Sequence, residues 1–251
     1  MSAEKSHAIV LRVVDFSETS VVTTLFTRDF GKIGALAKGA RRPKSPFEAA
    51  LDLLAVCRIV FLHKTSDGLD LLTEARLERR FRAATRDLSR LYAGYYVAEL
   101  LNDLTDTGDP HPELFQAADQ ALYGLDTDQA VPSTVLWFEL TALRLLGHLP
   151  SLEVCVGCGQ RVAARGRLAF GQLAGGVLCE RCRVGQRQVV RVSADVIEVL
   201  RQFSAEENAC GMTLDVDRRV GGELRGVLNR YLANLIGRRP RLHSYLGLLA
   251  E

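Results

Sequence analysis

Two cysteine pairs carry the plainest chemistry in the sequence. Cys155-Val-Gly-Cys158-Gly159 is followed, after 20 residues, by Cys179-Glu-Arg-Cys182. Each Cys-x-x-Cys can clamp one side of a tetrahedral Zn²⁺ through two thiolates. Gly157 and Gly159 permit the tight turn that presents backbone amides to the sulfurs. The segment between the pairs, with Gly166, Gly171, Gly175 and Gly176, reads as a short hairpin without a core of its own. Metal would then take the place of the missing core. A pair of disulfides is disfavoured in a reducing compartment. A redox site would use one such motif beside a βαβ unit. A deaminase site needs His-x-Glu and a Pro before the cysteine pair, and neither is present. Four thiolates leave no open coordination position, so the expected zinc is structural. Cys57, in an apolar stretch, and Cys210, alone before Gly211, read as plain thiols.

A second constellation is cationic. Lys38-Gly-Ala-Arg41-Arg42-Pro-Lys44-Ser45, together with Lys32, places five cations within 13 residues. Gly39 and Pro43 make this a loop, and Arg and Lys on a loop suit phosphate contact without sequence reading. The competing reading is a solvated turn, in which case the basic C-terminal part around Arg218, Arg219, Arg238 and Arg239 is the next place for an anion. Arg82, Arg86 and Arg90 recur every four residues and would form a basic stripe on a helix. That stripe is either a solvated face or a groove for an acidic peptide. Tyr92, Tyr95 and Tyr96 could stack on bases, but their helical spacing fits core positions better. No G-x-S-x-G, Walker loop, G-x-G-x-x-G after a strand or H-E-x-x-H occurs. The expected protein is therefore a binding protein and not an enzyme.

The elements that must position these groups fall into distinct stretches. Residues 7–14, 19–27, 32–38, 51–63 and 69–77 are apolar, β-branched or alternating, with turn residues between them. Five strands in about 75 residues suggest a small barrel. An OB-fold suits this size, and an SH3-like barrel fits almost as well. From residue 81 the period changes. Phe81, Ala84, Leu88, Leu91, Tyr95, Ala98 and Leu101 recur at steps of three and four, which predicts a long amphipathic helix. Further helices are expected over 113–125, over 133–146 with Ser133 as N-cap, over 193–203 and over 217–236. In the last, Val220, Leu224, Val227, Leu228, Tyr231 and Leu235 share one face.

Composition sets the limits. The chain has 251 residues, 47% hydrophobic and 25% charged, ordinary for a globular protein with a real core. The net charge of +2 is segregated: residues 1–80 carry +3, 81–150 carry −6 and 151–251 carry +5. An anionic partner should meet the basic ends. The first residues lack the apolar core of a signal peptide and no apolar run is long enough to span a bilayer, so a cytoplasmic protein is expected.

The residues also resemble a known family. Ala8-Ile-Val-Leu-Arg12, Asp15-Phe-Ser-Glu-Thr19, Leu25-Phe-Thr27 with Gly31-Lys32, and Ala37-Lys-Gly-Ala-Arg-Arg42 look like the N-terminal domain of the RecO DNA repair family. The likeness continues through Tyr95-Tyr96, Glu99-Leu-Leu101, Pro112-Glu-Leu-Phe115, Leu145-Leu-Gly147, the two cysteine pairs and Leu242-His-Ser244. It implies an α+β protein: an N-terminal five-stranded OB-fold barrel over 1–80, then a helical domain in two parts, 81–150 and 191–251, with a four-cysteine zinc module inserted at 151–190. It further implies binding of single- and double-stranded DNA, annealing of complementary strands, and help in loading RecA recombinase onto DNA coated with single-strand-binding protein. The implied protein partners are RecR and the acidic C-terminal tail of single-strand-binding protein, for which the Arg82, Arg86 and Arg90 stripe is the candidate receiver. Zinc at Cys155, Cys158, Cys179 and Cys182 and phosphate contacts from Lys32, Lys38, Arg41, Arg42 and Lys44 complete the expected sites. The competing function is a zinc-stabilised protein-interaction module without direct DNA binding.

Overall fold

Alternating apolar residues in the first 80 positions give five strands: β1 (Ala3–Asp15), β2 (Val21–Thr27), β3 (Gly31–Ala37), β4 (Val56–Leu62) and β5 (Asp70–Arg79). These come from a computed structural model that describes residues 2–47, 50–64, 68–85, 87–127, 129–205, 215–242 and 245. The strands close into a barrel in the order β1-β2-β3-β5-β4. β1 closes it by serving two neighbours: Ala3–Ile9 pair with β4, and Ala8–Asp15 pair with β2. A bulge between Val10 and Arg12 bends the strand between these duties. β3 and β5 run parallel, Ala35 opposite Asp70 and Ala37 opposite Leu72, and the other pairs are antiparallel. Inward positions, among them Val10, Leu25, Ile33, Ile59, Phe61 and Leu72, fill the interior. The apolar stretch expected as a strand over 51–63 pairs only from Val56, because Leu54 and Ala55 instead bond to the backbone of Val10.

The chain divides into two compact units, Met1–Asp128 and Gln129–Glu251. The break falls inside the stretch read from sequence as the first helical part. The first unit adds a 3₁₀ turn (Ala83–Thr85), α1 (Leu88–Leu104) and α2 (Pro112–Asp126). The helix predicted from residue 81 starts at Leu88. Asp87 has extended backbone and its carboxylate accepts from the Ser89 amide at 2.8 Å, which makes it the N-cap. Tyr96 is fully buried in α1. Phe26 of β2 stacks on Phe115 of α2 at 6.3 Å. Gly31 has φ +65°, and a Cβ there would lie 2.2 Å from the Asp109 carbonyl oxygen, so only glycine fits where the β2–β3 turn meets the chain after α1.

The second unit contains α3 (Val131–Leu145), a small sheet of β6 (Arg167–Gly171), β7 (Gly176–Leu178) and β8 (Val189–Ser193) in the order β7-β6-β8, then α4 (Ala194–Ser204) and α5 (Arg218–Ile236). α3 begins before the predicted cap: Ala130 is the N-cap, and Ser133 lies inside the helix and is buried. Pro132 sits in the first turn, where its missing N–H has no partner to lose. Asp217 caps α5 through the Val220 amide at 2.9 Å. Its buried face is the predicted one with Leu232 added, while Leu235 is only half-buried. Among the described residues no helix is long and apolar enough to cross a membrane.

Candidate metal centre and nucleic-acid interface

The two cysteine pairs converge. The sulfurs of Cys155, Cys158, Cys179 and Cys182 all lie within 4.8 Å of one another, and Cys158 Sγ is 3.9 Å from Cys179 Sγ. Thiolates at about 2.3 Å around a tetrahedral Zn²⁺ are about 3.8 Å apart, so this set has the spacing of a four-thiolate site. Each pair is presented by a tight turn. Cys155 N donates to Gln160 O at 2.8 Å, and Gly159, with φ +72°, returns its amide to Cys155 O at 2.8 Å. A Cβ on Gly157 would stand 3.0 Å from Cys182 Cβ, so glycine lets the pairs meet. Gly176, at φ +151°, approaches Ser151 so closely that a Cβ would lie 2.3 Å from the Ser151 oxygen. That contact ties the first turn to β7.

Backbone amides also charge the sulfurs. Burial acts to raise the Cys155 thiol, yet amides of Cys179, Gly157 and Cys158 outweigh it and bring it down to about 6. The Cys179 amide stands 3.3 Å from Cys155 Sγ. The Cys182 amide, 3.5 Å from Cys179 Sγ, lowers Cys179 as well. Cys182 is pushed up to about 12, chiefly by its hydrogen bond to Cys179. Such a set favours a cation that draws off the remaining protons. Cys57 is a different thiol: it is fully buried, faces Ala8 O and is raised to about 12 by that burial. Cys210 lies outside the described residues.

The five cations of the basic segment separate. Lys38, Arg41, Arg42 and Lys44 are exposed on the loop between β3 and β4. Lys32 stands at the other end of β3, six residues from Lys38 and so about 20 Å along the strand. Its ammonium donates to the carbonyls of Asn102 at 2.5 Å and Thr105 at 2.6 Å, closing the C-terminus of α1, and burial lowers its pKa. Sequence proximity grouped Lys32 with the loop; the strand carries it away. Arg41 is ion-paired with Asp15. Among the described residues, Lys38, Arg42 and Lys44 have no side-chain hydrogen bond or ion pair. Lys44 adopts a left-handed backbone, φ 61°.

The arginine stripe is not one helix face. Arg82 precedes the 3₁₀ turn, Arg90 lies in α1, and Arg86 is outside the described residues. Arg90 Nη1 donates to the carbonyls of Leu125 at 3.1 Å and Thr127 at 2.6 Å, closing the end of α2. Arg82 is exposed in a cleft of 460 Å³ that it lines with Arg79, Arg80, Leu77, Glu78 and Asp126.

Two features escaped sequence reasoning. Glu139, fully buried in α3, is gripped by both guanidinium nitrogens of Arg225 from α5. Nothing in the spacing of residues 86 apart signals that pair. Phe16, at the tip between β1 and β2, is 64% exposed. A phenylalanine within the polar run Asp15-Phe-Ser-Glu-Thr19 was the available signal.

The molecule is thus a two-unit α+β protein, with a closed barrel bearing a cationic loop in one unit and a four-thiol centre in the other. The family model for Recombination protein O, N terminal, matches residues 1–81, and that for Recombination protein O, C terminal, matches residues 85–244. The chain belongs to the RecO family. Similar proteins named DNA repair protein RecO occur in Rhodopirellula baltica, 45% identical over 95% of this chain and 97% of the relative, and in Myxococcus xanthus, 34% identical over 98% of each. Another, from Moorella thermoacetica, is 29% identical over 97% of this chain and 90% of the relative.

Proposed function

We propose that this protein is a recombinational DNA repair mediator. It binds single- and double-stranded DNA, anneals complementary strands and helps load RecA recombinase onto DNA coated with single-strand-binding protein. Membership of the RecO family, whose relatives are named DNA repair proteins, supports the class. The observation that carries DNA contact is the β3–β4 loop, where Lys38, Arg42 and Lys44 point no charge at a protein partner among the described residues. Lys44 is held in a backbone conformation that costs a non-glycine residue about 1–2 kcal/mol, which fits a side chain kept for its charge. The strand order β1-β2-β3-β5-β4 supports reading the barrel as an OB-fold, whose loops and outer face bind oligonucleotides. Phosphates lie along Lys38, Arg42 and Lys44. Arg41, already paired with Asp15, contributes less. Screening two polyanionic strands on one cationic surface lets them approach and pair; this chemistry needs binding and no bond-making residue.

The four cysteines hold a structural zinc ion, since four sulfurs saturate its tetrahedral shell. Cys155, Cys158, Cys179 and Cys182 supply the ligands, and the metal supplies folding energy rather than reactivity. RecR and the acidic tail of single-strand-binding protein are the protein partners, in the cytoplasm at the nucleoid. Of the arginine stripe, Arg82 is the proposed receiver of a carboxylate, a reading supported by its exposure beside Arg80 in one cleft. Arg90 is engaged with backbone carbonyls.

A salt titration of single-strand binding tests the reading. Each phosphate contact contributes about −0.7 to the log–log slope, so three contacts give roughly −2. Lys38→Ala with Arg42→Ala should weaken binding alike for all sequences and flatten the slope by about 1.4, and annealing should decline in parallel. An unchanged affinity and slope would remove the loop from the interface. No DNA affinity at low salt in the unmodified protein would leave a zinc-stabilised protein-interaction module.

A further inference from the structure

We propose that Phe16 is a stacking platform for a base of single-stranded nucleic acid whose phosphates lie on the neighbouring loop cations. This rests on the reading of the β3–β4 loop as a phosphate-binding surface.

Phe16 is placed, not dangling. Its amide donates to Ser20 O at 3.0 Å, the Ser17 amide reaches the same oxygen at 3.1 Å, and the Ser20 amide donates to Ser17 Oγ at 3.2 Å. The tip is therefore a closed turn, with the amides of Phe16, Ser17 and Ser20 bonded within it. It is docked onto the β3–β4 loop by three further contacts. The Gly39 amide donates to Ser20 Oγ at 3.2 Å, the Arg41 amide donates to Thr19 O at 3.0 Å, and Arg41 pairs with Asp15. An exposed phenyl ring and a cationic loop thus form one continuous ledge.

The ring also has exposed neighbours on β1. Arg12 and Val14 are both exposed near the end of the strand, and Phe16 follows directly after its last residue, Asp15. An exposed aromatic ring on a turn bonded to the loop that carries Lys38 and Arg42 matches a single strand, which offers π faces on one side and phosphates on the other. A duplex cannot use the ring, because its bases are already stacked and exposing one costs a few kcal/mol. The cations serve both forms of DNA; Phe16 serves only the single strand.

The test compares binding of an unstructured single strand, the same strand with abasic sites, and the duplex. Phe16→Ala should weaken single-strand binding roughly 5- to 150-fold while leaving duplex affinity and the salt slope unchanged. The unmodified protein should bind the abasic strand about as weakly as Phe16→Ala binds the intact one. Phe16→Tyr should restore binding and Phe16→Leu should not, which separates stacking from mere apolar size. In Phe16→Trp, emission added above that of the buried Trp137 should be quenched by the single strand and not by duplex. Unchanged single-strand affinity in Phe16→Ala, or an equal loss on both DNA forms, overturns the proposal. If the Lys38→Ala, Arg42→Ala variant loses DNA while Phe16→Ala does not, the phosphate reading stands and stacking alone is refuted. If neither variant changes binding, the phosphate reading fails first.

Discussion

The barrel and the four-cysteine sheet are both small antiparallel-rich structures, yet they are held in opposite ways. The barrel encloses a continuous apolar interior running from Ala8 and Val10 through Leu25 and Ile59 to Phe61 and Leu72. Around its thiols the small sheet buries just Cys155, Ala169 and Leu178 among the described residues, with half-buried Val162, Ala174 and Val189 beside them, while Leu168, Phe170, Val177 and Val192 are buried outside that cluster. One of its three buried members is itself a thiol. Where strands can bury enough apolar surface, alternation suffices; where they cannot, a metal is the usual substitute. The barrel should therefore be indifferent to metal, and the sheet should depend on it.

The largest test of that contrast removes the metal. Purified protein with reduced thiols should carry about one zinc per chain, a site of the kind worth about 10 kcal/mol or more to a small fold. Cys179→Ser, or a strong chelator, should release it. Amide exchange should then accelerate over 151–193 while amides of β1 to β5 keep their protection. Loss of protection in both regions, or a metal-free protein with an ordered second sheet, would break the comparison.

A smaller effect asks whether the second unit has any support besides its metal. Arg225→Ala would take from the buried Glu139 carboxylate the guanidinium that grips both its oxygens and should cost about 3–5 kcal/mol, seen as a lower Tm for the second unit with zinc content unchanged. Replacing both by leucine should recover most of that loss, since two apolar groups remove the desolvation cost as well as the pair. A single variant as stable as the unmodified protein would show that this pair contributes little.

The smallest effect lies in the barrel. Lys32→Met keeps the stem and removes the charge that holds the Asn102 and Thr105 carbonyls, which should cost about 1.5–3 kcal/mol by denaturant unfolding. DNA affinity and its salt slope should not change. A variant of normal stability with a flattened slope would return Lys32 to the phosphate surface.

Much of this was readable without coordinates, for local reasons. The Cys-x-x-Cys turns with Gly157 and Gly159 are self-contained, and ligand spacing needs only a few backbone angles. Apolar, β-branched or alternating stretches marked all five barrel strands, and the steps of three and four marked the buried face of α5. Boundaries slipped where a neighbour intervened: Leu54 and Ala55 left the β4 pattern to bond with Val10, and α1 waited for the Asp87 cap.

The fates of the charged and aromatic groups belong to the tertiary structure alone. Lys32 and Lys38 are near in sequence, but an extended strand rises about 3.3 Å per residue and carries them to opposite ends of β3. Arg82 and Arg90 are eight residues apart and would share a helix face, but the cap at Asp87 separates them. Glu139 meets Arg225 across 86 residues, and the turn that carries Phe16 joins Gly39 and Arg41, through Ser20 and Thr19, only because β1-β2 and β3-β4 turn at the same end of the barrel. Turn chemistry and ligand spacing act within a few residues, so residue types announce them. Which cation meets water and which meets a carbonyl depends on chain closure over tens of residues, and no local pattern carries that information.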